Sequence, residues 1–365
     1  MTSFTVQGWC PGALRPMPSG DGLVTRIRPR MARLTTAQAK GIARAARQHG
    51  NGLIDLSARG NIQLRGIRPD THLPLLDDLA ALGLLDPDEA TERHRNLTVS
   101  PFWQGIIWQS LADAVIAVLT APDHAPLPAK FGVALDIAAP MVLQATAADI
   151  RIEHHPQGWL VRPDGFATGA LVHTVPQAVD AVAHLIAWFL PRGVVQGRGR
   201  MAALAGQPLP DGFDTAMTVI PFAPLPGPVA LGQMFGLEFG QMTAETLAVL
   251  ADFPIRITPW RMILIEGDVP ALPGFITDPA DPRLNVTACT GAPGCPQALQ
   301  PTRDLARRLA PQVPAGQHLH VSGCAKGCAH PAPADLTLTA TPQGFTLIRN
   351  GRATDAGTPF LDRLT

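Results

Sequence analysis

The sequence predicts a mixed α/β (α+β) fold built around an internal duplication. Two stretches, residues 22–66 and 229–267, each pass from a strand-like run through a capped helix into a strand–turn–strand return. The same order of periodicities in both stretches indicates a repeated unit. Two such α/β units tend to pair about a pseudo-twofold axis and leave a crevice in which a ligand can sit. We therefore expect four units: half-domain repeats at 1–90 and 216–280, a central α/β domain at 91–215, and a C-terminal α/β domain at 281–365.

In the first unit, LVTRIR alternates as a half-buried strand does. Thr35 and Gln38 have the spacing of a capping box, which predicts an alanine-rich helix that ends at Gly50. The runs 53–57 and 61–65 are then the two arms of a hairpin-like return.

The second unit follows the same order, with Thr243 as the helix cap before AETLAVLADF. Its return, ITPWRMILIEG, corresponds to LSARGNIQLRG in the first unit. We expect Arg59 and Arg261 to occupy equivalent positions between the strand-like arms.

Outside the repeats, residues 111–119 and 176–190 have helical patterns, and residues 131–137 and 158–161 have strand patterns. The proline- and glycine-rich stretch 206–228 is typical of a connector. Pro296 predicts the first position of a helix that reaches Ala310. HLHVS, 335–340 and 345–349 are the expected strands at the C-terminal end.

The amino-acid composition argues against some classes of binding partner. The 365 residues are 46% hydrophobic and 16% charged with a formal net charge of zero, which argues against nucleic acid or an anionic membrane held by bulk charge. No apolar run reaches the ~18 residues of a membrane span. Nothing resembles a secretory signal, so we expect a cytoplasmic protein.

Four of the five cysteines form two tight pairs, Cys289 with Cys295 and Cys324 with Cys328. Four thiolates converging from two turns can hold a [4Fe–4S] cluster. A structural zinc site is the main alternative, although C-x5-C is loose for zinc. Disulfides are a further alternative that a reducing compartment disfavours.

Three other groups of metal-ligating residues are weaker candidates. Cys10 has no partner in the sequence and is expected to be a buried structural thiol. His154 and His155 precede a turn and are expected at the surface. His330, with Asp335 nearby, could bind a metal or could cap the turn after Cys328.

Many arginines flank the predicted strands. Arginine binds carboxylates through two parallel hydrogen bonds and stays charged when buried. A neutral protein with arginines around a crevice suits a polycarboxylate ligand, and Arg26 and Arg59 are the first candidates. Surface ion pairs are the expectation for Arg30, Arg33, Arg68, Arg307 and Arg308.

The cysteine pairs, the duplicated unit and the segments SARGNIQLRGI, RHRNLTVSP, LPAKFG and ITPWR resemble the sulfite/nitrite reductase superfamily. The resemblance covers nearly the whole chain. It implies a pseudo-twofold fold with ferredoxin-like half-domains and a C-terminal domain whose [4Fe–4S] cluster is bound by Cys289, Cys295, Cys324 and Cys328. It also implies that basic residues bind the carboxylates of sirohaem or of a related tetrapyrrole; the matching positions are Arg26, Arg59, Arg95 and Lys130, to which the repeat adds Arg261.

Two departures separate the chain from typical sirohaem reductases: Gly132 replaces the second lysine of a basic motif, and Lys326 replaces an asparagine between the last cysteines. Together, CPGALRPMPSGDG and SGCAKGCAHP resemble the precorrin-3B synthase family, the cobalamin-pathway branch of the superfamily.

That closer resemblance implies an oxygen-dependent oxidoreductase acting on precorrin-3A. It would hydroxylate the meso carbon between rings A and D and close a γ-lactone from the ring A acetate. A non-haem iron in addition to the cluster is implied, with His330 and Lys326 as candidate catalytic residues. The chain has no G-x-G-x-x-G after a strand, so a separate NADH-dependent reductase is expected to supply electrons.

Two alternatives remain open at the level of sequence. A sirohaem-dependent nitrite or sulfite reductase would use the same fold for another reaction. A non-enzymatic iron–sulfur electron carrier, or a zinc-stabilised binding module, would use only the cysteines.

Overall fold

A computed structural model of the chain describes residues 11–218, 222–270, 272, 274–361 and 364. Cys10 lies outside these residues. None of the helices in the described part is long and apolar enough to cross a membrane.

The strands are β1 (Met17–Ser19), β2 (Gly22–Ile27), β3 (Arg33–Leu34), β4 (Leu53–Leu56), β5 (Ile62–Ile67), β6 (Leu97–Val99), β7 (Val133–Asp136), β8 (Ile150–His155), β9 (Gly158–Pro163), β10 (Thr168–Val172), β11 (Thr215–Ala216), β12 (Gly227–Val229), β13 (Gly232–Gly236), β14 (Gln241–Thr243), β15 (Ile255–Ile257), β16 (Met262–Glu266), β17 (Val286–Ala288), β18 (Leu319–Ser322), β19 (Ala334–Thr341), β20 (Gly344–Gly351) and β21 (Thr358–Pro359). The helices are α1 (Thr36–His49), α2 (His72–Ala81), α3 (Glu89–His94), α4 (Ile106–Leu119), α5 (Val175–Gly193), α6 (Ala244–Leu250) and α7 (Arg303–Leu309).

The predicted duplication is confirmed by the order of elements. The Thr35 side chain accepts the N–H of Gln38, and the capping box is complete at the start of α1, which ends at the C-cap Gly50. In the second repeat, the Thr243 side chain caps α6 by accepting the N–H of Thr246. Each repeat then ends in an antiparallel strand pair, β4–β5 or β15–β16.

The two half-domains exchange edge strands. The first sheet has the order β1-β2-β5-β4-β14 and therefore ends on a strand from the second repeat. The second repeat's sheet has the order β12-β13-β16-β15-β3 and ends on a strand from the first. Helices α1 and α6 pack between the sheets, and Ile42, Leu64, Leu247 and Ile265 are fully buried in one continuous hydrophobic core.

The central and C-terminal sheets share a topology. The central sheet runs β6-β7-β8-β9-β10-β11 and the C-terminal sheet runs β17-β18-β19-β20-β21. In both, the first three strands are parallel and the following strands are antiparallel. Helix α4 connects the first two strands of the central sheet and α7 those of the C-terminal sheet. The four sheets therefore form two similar halves. The domain boundaries that we expect from the sequence for the four units remain predictions.

The helix predicted from Pro296 to Ala310 is wrong in its first half. Residues 296–302 form turns, bends and irregular structure, and α7 begins only at Arg303. Pro301 disfavours a helical conformation of the residue before it. The segment instead bonds to its surroundings, since Ala298 N–H donates to Cys295 O and Leu299 N–H donates to Gly323 O.

Candidate active site

The two cysteine pairs meet because their strands are parallel neighbours. Cys289 follows β17 directly, and Cys324 lies two residues after the end of β18. Parallel strands end at the same edge of a sheet, so both cysteine loops leave that edge side by side.

Hydrogen bonds join the two loops. The Gly323 N–H donates to Cys289 Sγ at 3.0 Å, and Thr302 Oγ1 donates to the Cys289 carbonyl at 2.6 Å. A Cβ at position 323 would lie 2.8 Å from the Ala298 side chain and 3.3 Å from Cys289 Sγ. Glycine at 323 therefore allows the loops to approach this closely.

Two of the four thiols have pKa values that are raised above the ordinary value. Burial raises the pKa of Cys289, opposed by the Gly323 N–H. Cys328 is exposed as a residue, but partial desolvation of its thiol still raises the pKa of Cys328, opposed by Lys326 and reinforced by the other three cysteines. Thiols that resist ionisation in the apoprotein need a bound cation to hold them as thiolates.

The donor set fits an iron–sulfur cluster. None of the four thiols is in a disulfide. In the part of the chain that the structure describes, no three His, Cys, Asp or Glu side chains are arranged to share a single metal ion. A cubane presents a separate iron to each of four thiolates, so it does not require the sulfurs to converge on one ion.

A row of polar side chains crosses the first sheet. Arg26, Gln63, Asp55 and Gln241 lie directly opposite one another on β2, β5, β4 and β14. The Arg26 guanidinium donates twice to Gln63 Oε1, at 2.7 and 3.2 Å, and Gln241 donates to Asp55 at 2.8 Å. The face of the sheet opposite its helices is therefore polar.

Arg65 connects this polar face to the cysteine loops. Its side chain is 6% exposed, and its guanidinium pairs with Asp21 at 2.8 Å and with Asp55 at 3.3 Å. Nη2 also donates to the carbonyl of Gly294, next to Cys295, at 3.0 Å. Ser19 Oγ donates to the same carbonyl. The candidate ligand face and the candidate cluster site are thus in direct contact.

Two of the predicted basic residues come together at the central domain. The Arg59 Nη2 donates to the Lys130 carbonyl at 2.8 Å. A Cβ at Gly132 would lie 2.8 Å from the Asn96 carbonyl oxygen and 3.7 Å from Arg59 Nη1. Packing therefore leaves no room for a side chain at position 132.

Arg95 lines the same cleft as Arg59, but its guanidinium is already bound. It donates to both carboxylate oxygens of Asp86, at 2.7 and 3.0 Å, and to the Arg28 carbonyl at 2.9 Å. Its contacts hold the cleft wall together.

The expected equivalence of Arg59 and Arg261 is wrong by one residue. In both turns a backbone N–H donates to the hydroxyl two residues earlier, and these N–H groups belong to Arg59 and Trp260. The left-handed position that follows is Gly60 (φ 66°) in one turn and Arg261 (φ 61°) in the other. Arg261 therefore lines a different cleft, of about 250 Å³, with Trp260 and His330. Its Nη2 donates to the Ala329 carbonyl, and burial lowers its pKa.

A histidine cluster lies beside this second cleft. The ring centroid of His330 is 4.9 Å from that of His318 and 5.7 Å from that of His320. Burial lowers the pKa of His318 to about 4 and of His320 to about 3. His318 and His320 were not among the candidates predicted from the sequence. The available signal was H-x-H within a strand, which puts both side chains on one face.

The structure shows the contacts of three further candidate residues, Asp335, Lys326 and His155. Asp335 accepts the His318 backbone N–H at 2.7 Å, so its carboxylate fastens β18 to β19. Lys326 lies near Cys328, where its charge opposes the rise in the pKa of that thiol. His155 is buried, against expectation, and its Nδ1 accepts the Gln157 N–H.

The expected ion pairs are present for four arginines: Arg30 with Asp113, Arg33 with Glu266, Arg68 with Asp70, and Arg307 with Glu238. The pair of Arg33 is only partly exposed and links the two half-domains, so it is more than an ordinary surface pair.

Comparison with known proteins identifies the relatives of this architecture. Residues 15–82 match the model of the nitrite/sulfite reductase ferredoxin-like half domain. The fold is similar to that of the Mycobacterium tuberculosis NirA protein, with a TM-score of 0.65 and 19% sequence identity over 89% of this chain and 74% of that one. A ferredoxin–nitrite reductase of Synechococcus elongatus is 23% identical over 89% of this chain and 77% of its own.

A precorrin-3B synthase of Sinorhizobium sp is 30% identical over 412 aligned residues, which cover 98% of this chain and 85% of that relative. The match therefore includes all four sheets and both cysteine loops. The chain belongs to the precorrin-3B synthase family, within the sulfite/nitrite reductase superfamily.

Proposed function

We propose that this protein is an oxidoreductase of cobalamin biosynthesis that converts precorrin-3A to precorrin-3B with dioxygen. One oxygen atom would become the hydroxyl on the meso carbon between rings A and D, while the ring A acetate closes to a γ-lactone. The other oxygen atom would leave as water, which requires two electrons and two protons from a donor. The observation that carries the proposal is the 30% identity to a precorrin-3B synthase along 98% of the chain.

The cofactor would be a [4Fe–4S] cluster held by the four paired cysteines, Cys289, Cys295, Cys324 and Cys328. Bound there, it would supply single-electron transfer. The chain's own contribution is to hold the thiolates: the Gly323 N–H stabilises Cys289 Sγ, and Arg65 fixes the loop before Cys295 through the Gly294 carbonyl.

The substrate is a tetrapyrrole with several carboxylates, and a basic face would hold it. We assign substrate contacts first to Arg26 and Arg59, whose guanidinium groups lie on the polar face and in the adjoining cleft. Lys130 is exposed beside Arg59. Arg95 would support the cleft wall, and Arg261 would act only on a part of the ligand that reaches the second cleft.

Electrons would come from a separate reductase that oxidises NADH, and the protein would work in the cytoplasm. A non-haem iron is the expected group for dioxygen chemistry, and histidines are common ligands for it.

The test is turnover of precorrin-3A by the anaerobically purified protein, a reductase and isotopically labelled dioxygen. We expect a product that gains the mass of one labelled oxygen atom and carries a lactone. Incorporation of oxygen from labelled water instead would reject the monooxygenase assignment. A reaction mixture without the reductase is the control.

The second candidate is a sirohaem-dependent nitrite or sulfite reductase, favoured by the 23% identity to a ferredoxin–nitrite reductase. The Asn96 carbonyl beside Gly132 closes the place of the second lysine and argues against it. The absorption spectrum of the purified protein distinguishes these functions: sharp tetrapyrrole bands indicate sirohaem, whereas a broad shoulder alone indicates the cluster. A colourless, zinc-loaded protein would instead support a non-enzymatic module.

A further inference from the structure

The turn between β1 and β2 packs against the first cysteine loop, residues 289–295. Three hydrogen-bond donors converge there on the carbonyl oxygen of Gly294. They are Ser19 Oγ at 2.7 Å, the Gly20 N–H at 3.2 Å and Arg65 Nη2 at 3.0 Å. A carbonyl oxygen has two lone pairs, so three donors are more than it needs to be satisfied. The contact therefore requires an explanation beyond the pairing of a buried polar group.

The Gly294 carbonyl belongs to the same peptide unit as the N–H of Cys295. That N–H donates to the Gly291 carbonyl at 2.8 Å, so both ends of the peptide unit are held by hydrogen bonds. A peptide unit is planar, and fixing both of its ends fixes the direction in which the next residue leaves it. The turn between β1 and β2 thus helps to determine the position of Cys295.

The same contact brings two opposite charges to the cysteine loop. Asp21 accepts hydrogen bonds from Arg65 through both carboxylate oxygens, at 2.8 and 2.9 Å. A Cβ at Gly294 would lie 3.6 Å from Arg65 Nη2 and 3.7 Å from Asp21 Oδ2. Charges that are largely buried are screened less by salt than exposed ones. Removing either charge should therefore change the electrostatic potential at the loop, in opposite directions.

The second repeat builds the same turn without polar side chains. The two-residue turn between β12 and β13 closes in the same register as the turn between β1 and β2. Its Val229 and Leu231 take the places of Ser19 and Asp21, and both pack against a hydrophobic cluster. The hairpin itself therefore requires neither a hydroxyl nor a carboxylate, and these groups belong to the contact with the cysteine loop.

Gly20 differs between the repeats for a related reason. A Cβ at this position would lie 2.3 Å from the carbonyl oxygen of Pro293, which is closer than a side chain can approach. The equivalent residue of the second repeat is Ala230. Glycine at position 20 therefore allows the turn to reach the cysteine loop.

We propose that Ser19, Gly20 and Asp21, together with Arg65, are positioning residues that hold Cys295 and adjust the reduction potential of the cluster. This inference rests on the [4Fe–4S] cluster of the proposed function. Reduction adds negative charge, so nearby positive charge favours the reduced form and nearby negative charge opposes it. Ser19 turns the positive end of its O–H towards the loop and Asp21 places a carboxylate there, so the two residues act in opposite directions.

The experiment is a redox titration of the anaerobically purified full chain, followed by electron paramagnetic resonance of the reduced cluster. Ser19→Ala should lower the reduction potential, because it removes one donor. We expect the ratio of reduced to oxidised cluster at a fixed potential to fall about 3- to 10-fold, which is a shift of about 30–60 mV for one electron. Asp21→Asn should raise the potential by a similar amount. Ser19→Thr keeps the hydroxyl and should restore the original value.

Matched variants separate this effect from general destabilisation. Ser110→Ala and Asp113→Asn make the same changes at exposed positions of α4, and both should titrate as the unchanged protein does. Iron content and thermal stability are measured for every variant. A contact that only docks one domain on another would lower stability or iron content in Ser19→Ala and Asp21→Asn without shifts of opposite sign.

Unchanged reduction potentials in Ser19→Ala and Asp21→Asn, or shifts in the same direction, would overturn the proposal and leave the turn as a docking contact. Such a result with labelled oxygen still inserted into precorrin-3A would leave the proposed function standing. Shifts of opposite sign without oxygen insertion would support the positioning role and reject the proposed reaction.

Discussion

The four candidate cluster ligands differ in their exposure to solvent. Cys328 is exposed, whereas the other three are partly buried. Cys324 lies in the loop after β18, and its carbonyl accepts a hydrogen bond from Ser322 Oγ at 2.7 Å.

Cys324→Ser is expected to abolish the cluster, because a serine oxygen is a much poorer ligand for iron than a thiolate. Iron and acid-labile sulfide content, with the visible spectrum, measure the loss. Cys10→Ser is the matched control and should retain both. Full cluster content in Cys324→Ser would contradict the ligand assignment.

Arg59→Ala is expected to weaken binding of precorrin-3A by about 10- to 100-fold, since it removes a charged hydrogen-bond donor from the cleft. Fluorescence titration under anaerobic conditions measures the affinity, and the iron content should stay unchanged. Arg68→Ala removes an exposed arginine outside the cleft and serves as the control. Equal affinities in the two variants would place Arg59 outside the substrate site.

At the scale of residues, spacing was enough to single out the paired cysteines as candidate ligands, whereas the alignment of the two turns was wrong because it depends on backbone conformation. The cysteine pairs were evident because their chemistry is carried by residue type. The misalignment of Arg59 with Arg261 arose because an arginine occupies the left-handed position in one turn and a glycine in the other. That preference for glycine is a tendency, so sequence cannot reveal where it is overridden.

Among the elements, the short strand β3 carries the contact that joins three parts of the molecule. Its Arg33 pairs with Glu266 of β16 at 2.7 Å, and Arg256 of β15 pairs with the same carboxylate at 2.6 Å. Arg256 also donates to the carbonyls of Pro101 and Trp103, and its guanidinium lies 4.4 Å from the Trp103 ring. The carboxylate therefore organises both repeats and the central domain.

Glu266→Gln is expected to destabilise the fold by about 2 kcal/mol at neutral pH, because two partly buried guanidinium groups lose their anion. The hydrogen bond and charge of Arg33, with those of Arg256, lower the pKa of Glu266 from 4.5 to about 2. The carboxylate's contribution is therefore complete above about pH 4.5 and is lost as the pH falls towards 2.

Urea denaturation between pH 7 and pH 3 measures this linkage. The unchanged protein should lose stability more steeply below pH 4.5 than Glu266→Gln. Glu238→Gln, in a more exposed pair with Arg307, is the control and should change stability by less than about 0.5 kcal/mol. Parallel pH profiles for Glu266→Gln and the unchanged protein would exclude the linkage.

Strands and helices with strong periodicity were predictable, and short ones were not. The capping box at Thr35 and the cap at Thr243 located both repeats because capping is a local interaction. Strands β3 and β14 have two and three residues, and nothing local indicates that each pairs with the other repeat. Their pairing depends on contacts between residues more than 180 positions apart.

For the whole molecule, the shared core predicts that the two half-domains unfold as one cooperative unit. Helix α6 of the second repeat packs on α1 of the first, and Leu247 is fully buried between them. A leucine in such a position supports both sheets.

Leu247→Ala is expected to lower the free energy of unfolding by about 2–5 kcal/mol. The loss of protection should extend to both repeats. Hydrogen exchange measured by mass spectrometry should show faster exchange in β4 and β5 as well as in β15 and β16. Leu185→Ala, which is fully buried in the separate core of the central domain, is the control and should leave those four strands protected. Faster exchange confined to the second repeat would show that the half-domains open independently.

Because the half-domains exchange edge strands, the sheet of the first repeat cannot be completed until the second repeat has been synthesised. The edge of β4 stays unpaired until residues 241–243 have emerged from the ribosome, which takes about 10–40 s at ordinary elongation rates. An open strand edge invites pairing with other nascent chains for that interval. Slow translation, or a break in the message between the repeats, should therefore send the polypeptide to chaperones and proteases rather than yield a stable truncated product.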